Sequence, residues 1–287
     1  MKARSTSSRA LAIAFLAAAW CASCTRPDAP SAEAQRILDD ARFPWETIGS
    51  PHARIHYLPG SYAAAHRDSL AARVEGARSA ALGLLDIDDY PTTLDVFYVT
   101  NRQDMNDLVG RPVTGFAYYR DAAIVLVLND RWRSFERHEV THFVTYAAWP
   151  EPAGAAVTEG LATYVDGVCG GYPNGMVVRT ILDRGELIPL AVLAGDFRGQ
   201  DDLVAYLEAG TVADLVARRF GPAALRSLWD GGLETAPELL GIPAAEFEAQ
   251  FERWLSSTYD PISDAAWDAI RSGGCGIDAG ATDRGQP

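Results

Sequence analysis

Apolar positions along the chain change period part-way through. Ala34, Ile37, Leu38 and Ala41 recur at helical spacing across Ser31 to Arg42, with Ser31 placed to cap the first turn. Ala53 to Leu58 reads as a short strand, and Ser61 to Leu85 as one long alanine-rich helix with Leu70, Val74, Ala77 and Leu82 on its apolar side. Thr93 to Thr100 is rich in β-branched and aromatic residues, as strands are, and Asn101 to Val109 follows as a short helix. Gly115 to Tyr119 and Ala122 to Leu128 flank Arg120-Asp121 and predict a hairpin. After Asn129 the period is helical: 135–148, 157–168, 175–182, 206–220 and 243–256. The expected fold class is therefore α+β, a mixed sheet with helices first and a mainly helical part after it. No internal repeat or low-complexity linker interrupts it.

The first residues follow a different rule. Lys2, Arg4 and Arg9 precede an apolar run from Ala10 to Trp20, too short to span a bilayer and of the length of a signal-peptide core. The run ends in Cys21-Ala22-Ser23-Cys24, which resembles a bacterial lipobox, with cleavage after Ser23 and lipid on Cys24, although Cys21 stands where such sequences usually carry leucine. Ordinary cleavage near Ala22 or Ser23, releasing a soluble protein, is the alternative. Either way the chain is expected to be exported: a cell-envelope lipoprotein, otherwise periplasmic or secreted. The organisation expected is a signal over 1–24, a tether and short helix over 25–46, one domain over 47–260 and a tail over 261–287.

Charge narrows the function. The 287 residues carry 25 Lys+Arg against 38 Asp+Glu, a net charge of −13, and Lys2 is the only lysine. A phosphate loop of the Gly-Lys type is thus excluded, and the acid excess argues against nucleic acid and anionic lipid as partners. Membrane contact is expected only through the N-terminal lipid. No serine lies in the glycine-flanked setting of a nucleophile elbow. Cys169 and Cys275 remain outside the signal, and an even count in an exported chain favours a disulfide between them.

Chemistry concentrates in His138-Glu139-Val140-Thr141-His142, inside the helix expected over 135–148. Residues four apart share a helix face, so both imidazoles reach one ion, while Glu139, beside the first, can take a proton from water. Ser134 is placed to cap this helix, and Trp149-Pro150 to end it. Sixteen residues separate His142 from Glu159, enough for a turn and an antiparallel return helix. Glu159 would complete a two-histidine, one-carboxylate set that leaves a fourth position open, as catalytic zinc sites do. His52, His56 and His66 lack ligand spacing and read as surface or hydrogen-bonded histidines. Phe247, Phe251, Trp254 and Leu255 form a packing stripe.

These two motifs, His138 to His142 and Thr158-Glu159-Gly160-Leu161-Ala162-Thr163-Tyr164, resemble the gluzincin superfamily of zinc metallopeptidases, and most nearly its small bacterial members. The likeness continues less specifically through Ala205-Tyr206 to Phe220-Gly221 and Glu246-Phe247 to Trp254-Leu255. It departs at Val157-Thr158, where tryptophan-containing segments are common, and at Thr163, where thermolysin-like members carry a supporting aspartate. The resemblance implies a zincin-like fold with the metal site in the cleft between a sheet lobe and a helical lobe. It further implies Zn2+ held by His138, His142 and Glu159, Glu139 as general base, and a peptide or protein substrate. Tyr206, at the expected start of a downstream helix, corresponds to a transition-state donor of the aminopeptidase-like members. The strand over 122–128 corresponds to the edge that pairs with an extended peptide, unless its continuous apolar run marks it as buried. A non-catalytic peptide- or partner-binding envelope protein and a zinc hydrolase acting on another substrate are the rival functions.

Overall fold

The computed structural model describes residues 29–279. The signal, Cys24 and residues 280–287 lie outside the described residues. In chain order the elements are α1 (Ala32–Leu38), β1 (Glu46–Gly49), β2 (Ala53–Tyr57), α2 (Tyr62–Ala65), α3 (Arg67–Leu85), β3 (Leu94–Val99), α4 (Arg102–Val109), β4 (Gly115–Tyr118) and β5 (Ala123–Val127). Then come α5 (Glu136–Ala148), α6 (Ala155–Asp166), the small hairpin β6 (Val168–Cys169) and β7 (Tyr172–Pro173), and α7 (Asn174–Asp183). Helices α8 (Leu190–Gly195), α9 (Asp202–Phe220), α10 (Ala223–Gly231), α11 (Ala236–Leu240), α12 (Phe247–Thr258) and α13 (Asp264–Gly273) complete the described chain. The protein is α+β and mostly helical. Among the described residues no helix is long and apolar enough to cross a membrane.

Strands β1 to β5 form one mixed sheet in the order β1-β2-β3-β5-β4. β2, β3 and β5 run parallel at its centre, and β1 and β4 pair antiparallel at the edges. The period of two sorts the side chains onto two faces. Ile55, Val96, Tyr98, Ile124 and Leu126 join the core beneath α3 and α5, while Phe97, Val99, Val125 and Val127 pack with Ile37, Phe43, Met105 and Leu108 on the other side. Both faces of β3 and β5 are covered, which explains their continuous apolar runs.

Several boundaries differ from the sequence reading. Asp86 takes the left-handed conformation at the end of α3, but the stretch before it is not one helix: the chain breaks at His66 between α2 and α3. Strand β1 was not expected, since its positions are mostly exposed and carry no apolar alternation. The segment after residue 260 contains α13, whose Trp267 and Ile270 are buried. Ser31 caps α1, its hydroxyl accepting from Ala34 N–H at 3.1 Å. Phe247, Phe251 and Leu255 are buried as the stripe predicts.

Helix α9 is the axis of the helical part and touches α6, α7, α10 and α11. Its closest approach is to α6. A Cβ on Gly210 would lie 2.8 Å from Thr163 Cγ2 and 3.1 Å from the backbone nitrogen of Tyr164; one on Gly160 would lie 3.1 Å from the backbone of Ala209. The two helices meet through surfaces that have no room for a methyl group. Cys169 and Cys275 form the expected disulfide, with sulfurs 2.00 Å apart, and so tie the β6–β7 hairpin to the segment after α13.

This packing makes two predictions. Gly210→Ala should destabilise the protein by about 1–3 kcal/mol through overpacking, whereas Gly76→Ala, on α3 with open space around it, should stabilise by about 0.5–1 kcal/mol. Denaturant unfolding of both variants checks the contrast, and a Gly210→Ala protein as stable as the parent would refute the tight crossing. The second prediction concerns Glu208, buried on α9. Burial raises its carboxyl to about 8, with Glu248 adding and the Ile188 N–H opposing. The folded chain therefore keeps a proton that the unfolded chain releases near the ordinary carboxylate value. Stability associated with neutral Glu208 is complete below that value and is lost as pH rises toward about 8, on the order of 1 kcal/mol per pH unit. Glu208→Gln should flatten this decline between about pH 5 and pH 8 when unfolding is followed against pH.

Candidate metal centre

The site is built on two helices whose positions are fixed by buried polar contacts. Glu136, in the first turn of α5, receives hydrogen bonds from Tyr98 Oη at 2.8 Å, Ser134 Oγ at 2.7 Å and Arg73 Nη2 at 3.1 Å. This locks the start of α5 to β3 and α3 and places negative charge at the positive end of the helix. Ser134 thus anchors Glu136 rather than capping the helix; the cap position is Phe135, which makes no side-chain cap bond. Trp149 is extended before Pro150 and ends α5. The turn that follows is pinned to α10, Trp229 Nε1 donating to the Pro150 carbonyl at 2.6 Å and Ala153 N–H to the Trp229 carbonyl at 2.9 Å.

Helix α6 then returns along α5 and brings Glu159 to the two histidines. Glu159 Oε2 lies 3.1 Å from His138 Nε2 and 3.5 Å from His142 Nε2. All three ligand atoms fall within 4.8 Å of one another. Four-coordinate zinc with bonds near 2.0–2.1 Å has ligand-to-ligand edges of about 3.3–3.4 Å, so these separations suit a metal ion, and the imidazole and carboxylate donors suit a borderline transition metal. A four-coordinate ion held by these three residues would keep one position for solvent or substrate.

Electrostatics agree with the geometry. Burial opposes a charge on Glu159, yet the hydrogen bonds and charges of His138 and His142 hold its carboxyl well below the usual range. Burial raises the carboxyl of Glu139 above its ordinary value against the pull of the two imidazoles, and Glu159 and Asp166 push the same way. Glu139 is buried and lies beside the ligands without joining them. A Cβ on Gly115, at the start of β4, would come 2.3 Å from Glu139 Oε1, so the edge strand passes directly over this carboxylate.

Tyr206 also reaches the site, its ring centroid 6.1 Å from that of His138. It sits in the second turn of α9, because Asp201 caps that helix earlier than the apolar period indicated. Burial raises its phenol, Glu159 adding to the effect and Arg198 opposing it, so the hydroxyl keeps its proton. Arg198 was not expected. It donates from Nη2 to Glu159 Oε1 at 2.7 Å and from Nη1 to Tyr206 Oη at 2.6 Å. It follows α8 in a single 3-10 turn and belongs to no motif, so no sequence signal marks it.

These groups line a pocket of about 960 Å³ together with β4, the start of α6 and the segment around Cys275. The strand expected at its edge requires correction. Ala123–Val127 lies inside the sheet between β3 and β4, so the free edge belongs to β4. The three remaining histidines stay away from the site: His56 bonds Asp95 and Thr47, His52 bonds Glu75, and His66 bonds the Tyr62 carbonyl. No protein-family model matches the chain, and no curated protein matches it.

Alanine at His138, His142 or Glu159 should each abolish retention of added zinc through dialysis, since each supplies one of three protein ligands. Metal analysis of the dialysed variants checks this. Near-stoichiometric zinc in all three would remove the site.

Proposed function

We propose that this protein is an exported zinc metallopeptidase of gluzincin type with a zincin-like fold, acting on peptide bonds outside the cytoplasmic membrane. One observation carries the reading: His138, His142 and Glu159 converge on a common point while a fourth buried side chain, Glu139, stands beside them uncommitted. A site that only stored metal, or a surface that only bound peptide, has no use for that carboxylate. The disulfide supports the exported placement, because such bonds persist in oxidising compartments.

When bound, zinc would acidify a water molecule and polarise the scissile carbonyl. The chain's own residues supply the rest. Glu139, with its affinity for protons raised by burial, accepts the proton from the attacking water and hands it to the departing amine. An extended peptide adds to the free edge of β4, where Gly115 leaves the room that the Glu139 carboxylate occupies against the strand. Tyr206 donates a hydrogen bond from its hydroxyl to the oxyanion of the tetrahedral intermediate. Arg198 assists by donating to the Tyr206 oxygen, which leaves the phenolic hydrogen free for that second bond.

Glu139→Gln should keep zinc and lose turnover on a mixed peptide library. Tyr206→Phe should keep zinc and folding and lose about 3–4 kcal/mol of transition-state stabilisation, a few hundredfold in kcat with a modest change in KM. Steady-state kinetics with parallel metal analysis tests both. Parental turnover in Glu139→Gln would end the general-base assignment, and parental kcat in Tyr206→Phe would place the second donor elsewhere.

A further inference from the structure

Charge of both signs lines the pocket, the acidic side chains being Glu139, Glu151, Glu159, Asp166 and Asp202. Three arginines line it: Arg102, Arg111 and Arg198. Arg198 is occupied by Glu159. Arg102 and Arg111 form no ion pair among the described residues, although both are exposed and the chain has acid to spare. Their guanidinium groups rest instead on aromatic rings that also line the pocket, Arg102 5.3 Å from the Trp132 centroid and Arg111 6.0 Å from that of Phe116. Stacking of this kind holds the planar group in place while leaving its N–H edge available to a carboxylate.

The placement of the two arginines relative to β4 gives the polarity: Arg111 precedes the strand, and Arg102, at the start of α4, stacks on Trp132 just beyond the end of β5 that pairs with Gly115. β4 runs from Gly115, over Glu139, to Tyr118, and Tyr119 just beyond it stacks on Tyr146 at 4.5 Å, further along α5. Residues 111–114 lead into the strand from the opposite side, so Arg111 marks one end of the pocket and Tyr119, with Glu151 lining the same pocket, the other. A peptide paired antiparallel to β4, the more stable pairing per residue, runs from the Tyr119 end toward the Arg111 end. Its amino side then lies toward Glu151 and its carboxyl side toward Arg102 and Arg111. The reverse direction would set like charges against each other at the pocket's ends.

We infer that the pocket selects peptides bearing a carboxylate on the C-terminal side of the scissile bond, held by Arg102 and Arg111. The carboxylate is either the peptide's own C-terminus or an acidic side chain shortly after the cleaved bond. The inference rests on the peptidase reading above for the position of that bond.

The test uses zinc-loaded protein and matched peptides differing only in a free or amidated C-terminus, or in Glu against Gln after the scissile bond. For the parent, kcat/KM should favour the carboxylate form by at least about fivefold at low salt, and less at high salt. The two peptide pairs tell which carboxylate is read. In Arg102→Gln/Arg111→Gln the preference should collapse, and in Arg102→Lys/Arg111→Lys, which keeps the charge, part of it should survive. Cleavage without preference, or preference that persists in the glutamine double variant, overturns the inference and leaves the peptidase reading standing. If no peptide is cleaved, the peptidase reading fails, and equilibrium binding of the same peptides to zinc-loaded Glu139→Gln decides the recognition. Tighter binding of the carboxylate form that depends on the two arginines supports it, and equal or absent binding overturns it.

Discussion

The site depends on how closely α6 and α9 cross. Gly160 and Gly210 put backbone against backbone where any side chain would hold the helices apart. The consequence for the site is immediate, because Glu159 precedes Gly160 and Tyr206 stands one turn before Gly210. A methyl group at either glycine would push α6 and α9 apart and so displace Glu159 and Tyr206 from each other. The glycine after the ligand glutamate is thus a packing requirement with a chemical result. The same crossing puts Arg198, in the turn that leads toward α9, within reach of both Glu159 and Tyr206.

Buried charge does the remaining alignment. Glu136 ties α5 to β3 and α3 through Tyr98 and Arg73, and to the preceding segment through Ser134, so the helix bearing both histidines has a fixed origin. At the far end of α6, Asp166 receives Arg133 through two hydrogen bonds of 2.6 and 3.1 Å. The Arg133 backbone N–H donates to the Gly276 carbonyl at 2.8 Å and its Nε to the Cys275 carbonyl at 3.3 Å. The disulfide closes the same loop from the β6–β7 hairpin. The segment after α13 is thereby held as one wall of the pocket, with Ile277 and Ala279 also packing it onto the apolar core. Breaking one partner of such a pair costs more than the pair contributes, which is why these networks fix position even where they add little to stability.

Much of this was legible from residues that act locally. The helix over 136–148 and the hairpin of β4 and β5 follow from short-range period and turn chemistry, and Cys169 and Cys275 from counting. The spacing of His138 and His142 put both imidazoles on one helix face, and Glu159 needed only a return helix to reach them. What escaped was set by tertiary contact. β1 is held by pairing with β2 and shows no apolar pattern of its own. The order β3-β5-β4 depends on which strand the chain lays outermost, and a continuous apolar run could not distinguish an edge from an interior strand until the second core behind it was seen. Tyr206 lies beside His138, but its helix begins earlier than the apolar period indicates, because the Asp201 cap lies ahead of the stripe.

Arg198 illustrates why a ligand set alone understates such a centre. Glu159 has two oxygens, and a carboxylate facing a metal can bind through one or both. Here Oε1 is taken by Arg198 at 2.7 Å, while Oε2 faces both imidazoles at 3.1 and 3.5 Å. The guanidinium therefore assigns the two oxygens different tasks, leaving one lone-pair direction toward the ion position and fixing the carboxylate against rotation. Its second hydrogen bond, at 2.6 Å, fixes the Tyr206 oxygen. One side chain thus couples the ligand to the oxyanion donor that the peptidase reading assigns, so that in this reading the groups that position the substrate's two reacting ends move as a unit. Lysine could not replace it: a single ammonium offers no rigid fork to span a carboxylate and a phenol at once.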